Sequence, residues 1–392
     1  MEKNKGWFGM KGKAGFLIAV LGAFLWFAVL PAFAGMVKEQ SNGEIQVRVI
    51  GTKNFGEEPV FDQTVVVKEG TSAGEALEKA VAIEMSGSYI ETIAGIKGSQ
   101  KEYWLYYING VMANVFAHGY RMKEGDVMHW DFHDWRFYMH SPQAMLGAFP
   151  EPCWHGYAGR IKPTVVCYEQ GFAAGAEKIK EKLLDNGIKD VTVKEYDALS
   201  EEEKNTFNLF ILARADNSLL QEVNESFVRQ EAIFFQNKQI HVRDYAGKPV
   251  KTYREGYGVL QVIQNPFNPK GSWSCESTVW SITGLDERGV NRALDVLINQ
   301  TGKLQNTFAI LTDGKDILRA PVSPGGIKTI SLAEEAKRTE LEATADSPGE
   351  SGKKEYSLML VAAGWGAVLV LLSTVLILIS KKKKRNKKLY SE

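Results

Sequence analysis

The chain is poor in the residues that mark a redox, zinc-binding or disulfide-rich protein. Its 392 residues include only three cysteines and six histidines. Cys153, Cys167 and Cys275 form no CxxC pair and no Cys/His zinc pattern, which excludes a zinc finger or a dithiol centre. Three cysteines in an oxidising compartment allow three different single disulfides or none.

Nucleotide-binding and metalloprotease motifs are also missing. No GxGxxG follows the first strand of the second half of the chain, and neither GxxxxGK[ST] nor HExxH occurs. A nucleotide site or a zinc protease site therefore has no residue-level basis. Because the histidine-rich region has no obvious nucleophile beside it, we predict that the protein is not an enzyme.

Positive charge is scarce once the two ends of the chain are set aside. The formal net charge is zero, yet residues 35–380 carry 36 positive and 45 negative side chains, a net charge of minus 9. A negative surface repels polyanions, so a nucleic-acid partner is not expected.

The first 34 residues have the pattern of a secretory signal peptide. Four lysines within the first 13 residues precede an uncharged run that ends in Ala32-Phe33-Ala34, a small-x-small cleavage pattern. An uncleaved second membrane anchor is the alternative. Both interpretations place residues 36–355 on the extracellular side of the membrane.

The other end of the chain has the pattern of a membrane anchor. Residues 356–380 contain no charged side chain, and 25 residues span about 37 Å as a helix, enough for a hydrocarbon core of about 30 Å. The tail, residues 381–392, carries seven Lys and Arg side chains, which the positive-inside rule keeps in the cytoplasm. We predict a single-pass protein of the cell membrane with extracellular globular domains.

Hydrophobic periodicity divides the exported chain into two globular parts. Residues 43–135 read as two strands, a helix and two strands, which predicts a β-grasp-like α+β domain. Residues 162–313 alternate strand and helix patterns, which predicts an α/β Rossmann-like domain with a mostly parallel sheet. Residues 321–355 lack aromatic side chains and are rich in Pro, Gly, Ser and Glu, which predicts a flexible stalk.

Residues 103–135, YWLYYINGVMANVFAHGYRMKEGDVMHWDFHDW, combine several weak motifs. These are Trp104-x-Tyr106 with Leu105 between them, Gly119-Tyr120, Gly125-Asp126 and the closing Trp135. Together they resemble the small C-terminal domain of the transcobalamin and intrinsic-factor family, of DUF4430 type. In that family the domain is one wall of a cobalamin cleft. The other wall is a large helical barrel, which this chain lacks.

A second resemblance lies in the α/β part. GVLQVIQNPFNPKG followed by VWSITGLDERGVNRAL resembles a module of archaeal and bacterial surface-layer and surface-anchored proteins. The resemblance implies no chemistry, so a scaffold is expected in preference to a second ligand or protein contact.

The stretch MHWDFHDWRFYMH, residues 128–140, concentrates histidine and aromatic side chains. If residues 127–135 form a strand, Met128, Trp130 and Phe132 share one face, which is the expected core. The opposite face carries His129, Asp131, His133 and Trp135. We call it the histidine face and predict that it is a surface.

Three interpretations of the histidine face stay open. The resemblance implies a corrinoid, covered by aromatic rings and hydrogen-bonded by the histidines and Asp131. The spacing i, i+2, i+4 of His129, Asp131 and His133 also suits a transition metal such as zinc, iron, cobalt or nickel. A polar sheet face without a ligand is the third.

Residues 136–161 form an aromatic and histidine-rich connecting loop without helical or strand periodicity. A loop of this length is uncommon unless it packs onto something. It either joins the domains or forms a ligand wall, in which His140, Trp154 and His155 would cover the corrin ring and one histidine would bind its cobalt.

We therefore predict a cell-surface, membrane-anchored cobalamin (corrinoid)-binding protein that captures or delivers its ligand for an uptake transporter. The predicted ligand-binding residues are Tyr103, Trp104, Tyr120, His129, Asp131, His133, Trp135, His140, Trp154 and His155. One alternative is a structural or adhesive surface protein that binds cell-wall or surface-layer partners. The other is a transition-metal-binding surface protein.

Overall fold

The computed structural model describes residues 43–87, 89–135, 142–228, 230–271 and 273–333. The predicted signal peptide, His140, most of the predicted stalk, the predicted transmembrane helix and the basic tail lie outside these residues. Within them, no helix is long and apolar enough to cross a membrane. The chain is a mixed α+β protein, rich in sheet and with few helices.

The first unit is built on a five-stranded sheet with the order β2-β1-β8-β6-β7. Strands β1 and β8 run parallel at its centre, and the other pairs are antiparallel. The unit also has a smaller antiparallel sheet, β3-β4-β5, so the prediction of only four strands missed this sheet and the short edge strand β7. The elements are β1 (Glu44–Lys53), β2 (Glu58–Lys68), α1 (Ala73–Ala80), β3 (Ile83–Ser86), β4 (Tyr89–Ile93), β5 (Ile96–Lys97), β6 (Glu102–Ile108), β7 (Val111–Met112) and β8 (Val127–Asp134).

Helix α1 begins where the sequence provides a cap. Ser72 accepts a hydrogen bond from the Glu75 amide, and the Glu75 carboxylate accepts one from the Ser72 amide, which completes a capping box. The helix buries Ala76 and Leu77 in a core shared with Val47 and Met128 from the sheet. The alternation predicted for strand β8 is therefore correct on the Met128, Trp130 and Phe132 side.

The second unit is built on an eight-stranded sheet with the order β10-β9-β11-β16-β15-β17-β18-β19, accompanied by a small sheet, β12-β13-β14. The elements are β9 (Thr164–Tyr168), α2 (Ala173–Asp185), β10 (Val191–Glu195), α3 (Glu201–Thr206), β11 (Asn208–Arg214), α4 (Ser218–Phe227), β12 (Ile233–Gln236), β13 (Gln239–Arg243), β14 (Pro249–Tyr253), β15 (Gly258–Gln264), β16 (Thr278–Gly284), α5 (Glu287–Asn299), β17 (Ala309–Thr312), β18 (Asp316–Ala320) and β19 (Thr329–Ser331).

The prediction of a mostly parallel sheet is wrong for half of this unit. The neighbours among β10, β9, β11 and β16 are parallel, whereas every pair from β16 through β15 to β19 is antiparallel. Helices α2 and α3 connect β9, β10 and β11, and a helical crossover returns the chain in the same direction. Strands β15 and β16, and β17 and β18, are joined by loops without a helix, so they reverse direction.

The start of the predicted stalk is part of the sheet. Thr329–Ser331 pairs with β18, and Val322 is buried. Ile330 packs against the core of the second unit. The flexible-coil prediction is therefore wrong for residues 321–331. Val322 and Ile330 pack against the core, and pairing with β19 covers the edge of β18.

The two units are packed together over a buried aromatic cluster. Phe55, Tyr107, Met112 and Met145 from the first unit and its connecting segment contact Phe308 from the second. The connecting segment contributes directly, since the Gly147 amide donates to the Thr307 carbonyl at 2.7 Å. Residues 142–161 thus join the units, as one of the two interpretations of this loop proposed.

Candidate functional site

Three of the four side chains of the histidine face are buried and only Trp135 is exposed, which corrects the prediction that this face is a surface. His129, Asp131 and His133 are 5%, 0% and 1% exposed. Strand β8 lies at the centre of its sheet, with the core of the first unit on one side and the second unit on the other. Asp131 and His133 are therefore closed to a corrinoid, whereas His129 borders a cavity.

Asp131 is the centre of a buried hydrogen-bond network within the first unit. Its carboxylate accepts from the Phe55 amide at 2.9 Å, from the Gly56 amide at 2.8 Å and from the Thr52 hydroxyl at 2.5 Å. The His133 Nδ1 atom lies 2.6 Å from the same carboxylate. A buried carboxylate with this many donors is satisfied, so the network has a structural role.

His129 joins this network through Thr52. The Thr52 hydroxyl oxygen lies 2.7 Å from His129 Nε2, and because that hydroxyl donates to Asp131, the histidine is the donor in this contact. Burial lowers the pKa of His129 from 6.5 to about 4, against the opposing effects of Asp131 and Asp62. Burial alone would raise the pKa of Asp131, but hydrogen bonds from His133 and Thr52 hold it below its usual value.

The arrangement does not resemble a metal centre. Across the described ranges, no group of three or more His, Cys, Asp and Glu side chains is arranged to hold a metal ion. His129 Nε2 faces Thr52 and His133 Nδ1 faces Asp131, so these ring atoms do not converge on one point.

The cysteines form no bridge. Cys153, Cys167 and Cys275 are buried free thiols. Burial raises the pKa of each thiol to about 12, so none is a ready nucleophile.

The remaining predicted residues are dispersed. Tyr120 is buried and its hydroxyl donates to Asp126 at 3.1 Å. Trp135, at the end of β8, is 43% exposed. His140 lies outside the described residues. Trp154 and His155 stack at 4.5 Å and border a cavity of about 440 Å³ that His129 also lines.

Tyr103 and Trp104 line a different and larger cavity, of about 700 Å³, which we call the aromatic cavity. Strand β6 contributes Tyr103 to Tyr106, and β4 contributes Tyr89 and Ile90. The segment 112–118 contributes a further wall, and Trp273 comes from the second unit. The predicted site residues are therefore split between two cavities and the buried network.

Three of the rings that line the aromatic cavity have their polar atoms hydrogen-bonded within the protein. The Tyr103 hydroxyl donates to the Ile90 carbonyl at 2.6 Å, and Trp104 Nε1 donates to the Ile96 carbonyl at 3.0 Å. The Tyr106 hydroxyl donates to the Val115 carbonyl, and its ring stacks on Trp130 at 4.8 Å. These three rings therefore present mainly apolar surface to a ligand, whereas the buried Trp130 Nε1 has no hydrogen-bond partner among the described residues.

Two exposed rings meet at the cavity. Tyr89 is 54% exposed, Phe116 is 70% exposed, and their ring centroids are 5.5 Å apart in an edge-to-face contact. None of the described residues that line the cavity is Asp, Glu, Lys or Arg. Its size lies within the 300–1,000 Å³ range typical of small-molecule sites, and its lining suits an uncharged ligand surface.

Residues 70–134 match the family described as a domain of unknown function, DUF4430. The chain carries a DUF4430 domain. This confirms the family prediction for the first unit, and the match contains the β6 and β8 strands that build the aromatic cavity. No curated protein matches the chain.

Two solved structures share similarity with a part of this chain. Haptocorrin in complex with cobinamide is 18% identical over 23% of this chain and 25% of its own, with a TM-score of 0.21. A candidate metal-binding protein from Ruminococcus gnavus ATCC 29149 is 19% identical over 24% of this chain and 98% of its own, with a TM-score of 0.19. The match to haptocorrin thus spans about a quarter of that protein's length.

The DUF4430 domain also contains a GxSxG spacing, GTSAG at residues 70–74. In hydrolases this spacing places a nucleophilic serine on a turn. Here Ser72 caps helix α1, and its hydroxyl donates to the Glu75 carboxylate at 2.7 Å. The serine is 2% exposed, so the motif is a helix cap.

Sequence reasoning missed Tyr89, Phe116 and Trp273 as cavity residues. The signal for the cavity was the aromatic density of YWLYYING, whose Tyr103, Trp104 and Tyr106 all border it. Trp273 gave no such signal, because it is more than 150 positions away and reaches the cavity only through docking of the second unit.

Proposed function

We propose that the protein is a non-enzymatic corrinoid-binding protein and that its ligand occupies the aromatic cavity. The observation that carries the proposal is the cavity itself, about 700 Å³ in volume and lined by aromatic rings, of which Tyr103, Trp104 and Tyr106 have their polar atoms hydrogen-bonded within the protein. Such a lining favours a ligand with broad apolar faces. The resemblance of residues 103–135 to the transcobalamin family directs the choice of ligand toward a corrinoid.

The exposed rings supply a measurable part of the expected affinity. Tyr89 and Phe116 keep more than half of their surface in water. If a ligand covers half of that exposed surface, it removes about 120 Å² from water, given about 200 Å² for an aromatic side chain. At about 25 cal/mol per Å², this contributes about 3 kcal/mol, a factor of about 100 in affinity.

A ligand in the aromatic cavity would be out of reach of His155, one of the two histidines expected from the sequence to bind cobalt. His155 lines the smaller cavity, and its Nδ1 faces the Glu151 carboxylate. A corrinoid in the aromatic cavity would therefore not use His155. Among the described residues, the histidine that lines the aromatic cavity is His118. Binding by apolar contact alone would leave the cobalt coordination of free hydroxocobalamin unchanged.

The remaining parts of the proposal concern the whole chain. We assign the protein to the outer face of a cell membrane, on the basis of the signal-like leader and the basic tail after residues 356–380. In this assignment the first unit is β-grasp-like, the second is a Rossmann-like scaffold, and the bound corrinoid is passed to an uptake transporter. Ser72 acting as a helix cap supports the non-enzymatic assignment.

Equilibrium dialysis against hydroxocobalamin, followed at its visible bands, tests the proposal. We expect wild type to retain the ligand and Tyr89→Ala/Phe116→Ala to bind about 100-fold more weakly. Trp135→Ala is the matched control, since Trp135 is an exposed aromatic side chain outside the cavity. Wild type that retains no colour would refute the corrinoid assignment and favour a structural surface role. Equal losses in the control and the double variant would refute the location.

A further inference from the structure

We infer that Trp273, supplied by the second unit, is an affinity-determining wall of the aromatic cavity, so that the cavity is complete only when the two units are docked. The inference rests on the proposed function to the extent that the aromatic cavity takes a ligand. It adds a residue outside the DUF4430 domain and a role in binding for the second unit.

The position of Trp273 is held from the first unit. Asn114, which also borders the cavity, donates from Nδ2 to the Trp273 carbonyl at 2.9 Å. Asn114 is itself oriented by Tyr157, whose hydroxyl donates to Asn114 Oδ1 at 3.0 Å. The Trp273 side chain also packs against the buried cluster between the units. These contacts place the backbone of Trp273 at the cavity instead of leaving it on a loose loop.

The loop that carries Trp273, between β15 and β16, is braced at both ends. Gln264 donates from Nε2 to the Met112 carbonyl at 3.2 Å and accepts from the Cys275 amide at 3.1 Å. The Asn265 amide donates to the Ser277 carbonyl at 2.8 Å, which closes the base of the loop. A wall that is already ordered does not have to be ordered by the ligand, so less affinity is lost on binding.

The chemistry of the wall limits the class of ligand. Tyr106, stacked on Trp130, and Trp273 belong to different units and border the same cavity. A molecule that contacts both needs an extended apolar surface, as a macrocycle or polycyclic ring system has, and needs no charge. Because such a molecule contacts both units, its binding stabilises their docked arrangement.

The test uses the full chain and two probes, hydroxocobalamin and the neutral apolar dye Nile red. The variants are Trp273→Ala and the ring-preserving Trp273→Phe, and Trp135→Ala is the control. We expect Trp273→Ala to weaken binding of each probe that wild type binds by about tenfold or more, and Trp273→Phe to stay within about threefold of wild type. Thermal unfolding of each unliganded variant shows whether its fold is intact.

Four outcomes separate this inference from the proposed function. Nile red binding that depends on Trp273, without binding of hydroxocobalamin to wild type, supports the wall and refutes the corrinoid. Hydroxocobalamin binding that is unchanged in Trp273→Ala refutes the wall and leaves the corrinoid. Dependence of both probes on Trp273 supports both statements. Wild type that binds neither probe refutes both.

Discussion

The pKa of His129 predicts how acid destabilises the protein. Burial lowers this pKa from 6.5 to about 4, with Asp131, Asp62 and Arg48 as the charged groups that act on the ring. His129 is therefore neutral in the folded protein at pH 5, whereas in the unfolded chain it is mostly protonated. The stability that this difference contributes is fully present above pH 6.5 and is lost as the pH falls toward 4.

The magnitude follows from the two pKa values. Between pH 7 and pH 5, a histidine with pKa 6.5 unfolded and about 4 folded removes about 2 kcal/mol from the free energy of unfolding. His129→Gln keeps a hydrogen-bonding group beside Thr52 but does not titrate. We expect the fall in unfolding free energy between these pH values to be about 2 kcal/mol smaller in His129→Gln than in wild type.

Urea denaturation at pH 7 and pH 5 measures this difference. The quantity to compare is the change in the free energy of unfolding between the two pH values, and not the stability of the variant at one pH. His118→Gln is the matched control, because His118 is exposed. It should keep the wild-type pH dependence. If His129→Gln also keeps it, His129 is not buried as a neutral ring and the reasoning fails.

Further predictions concern packing, a buried acid and the thiols. A Cβ at Gly147 would lie 2.3 Å from the Leu304 carbonyl, so Gly147→Ala should lower the free energy of unfolding by about 1–3 kcal/mol. Gly302 has open space around it, so the control Gly302→Ala should lower it by less than about 1 kcal/mol. Burial raises the pKa of Glu231 from 4.5 to about 8. Wild type should therefore lose stability relative to Glu231→Gln as the pH rises from 5 to 8. The measurement is the urea midpoint of each protein, and a difference between them that does not change with pH would contradict this. A thiol reagent should label no cysteine in the native protein and three after denaturation, because all three are free and buried; any rapid native labelling would show an accessible thiol.

Local patterns in the sequence predicted local structure correctly. The capping residues before α1 mark its start, and alternation in residues 127–135 identifies the apolar side of β8. Family motifs between Trp104 and Trp135 led to the DUF4430 domain. Each of these predictions depends on residues that are close together in the sequence or that belong to one helix or strand.

The failed predictions concern partners that lie far away in sequence. The alternation of β8 separates His129 and His133 from Trp130, but it does not say whether solvent or another sheet covers the histidines. Strands β15 and β16 are antiparallel because the loop that connects them contains no helix in its described residues. Residues 329–331 form strand β19 by pairing with β18, which would otherwise be the last strand of the sheet.

By itself, the sequence predicted helix α1 and the strands β1, β2, β6 and β8, the apolar side of β8, and the family of the first unit. The tertiary structure decided that His129, Asp131 and His133 are buried and that Trp273 borders the aromatic cavity. The physical reason is that periodicity reports the chemistry of a face, whereas burial and cavity shape depend on what packs against it. In this chain that packing brings together residues more than 150 positions apart.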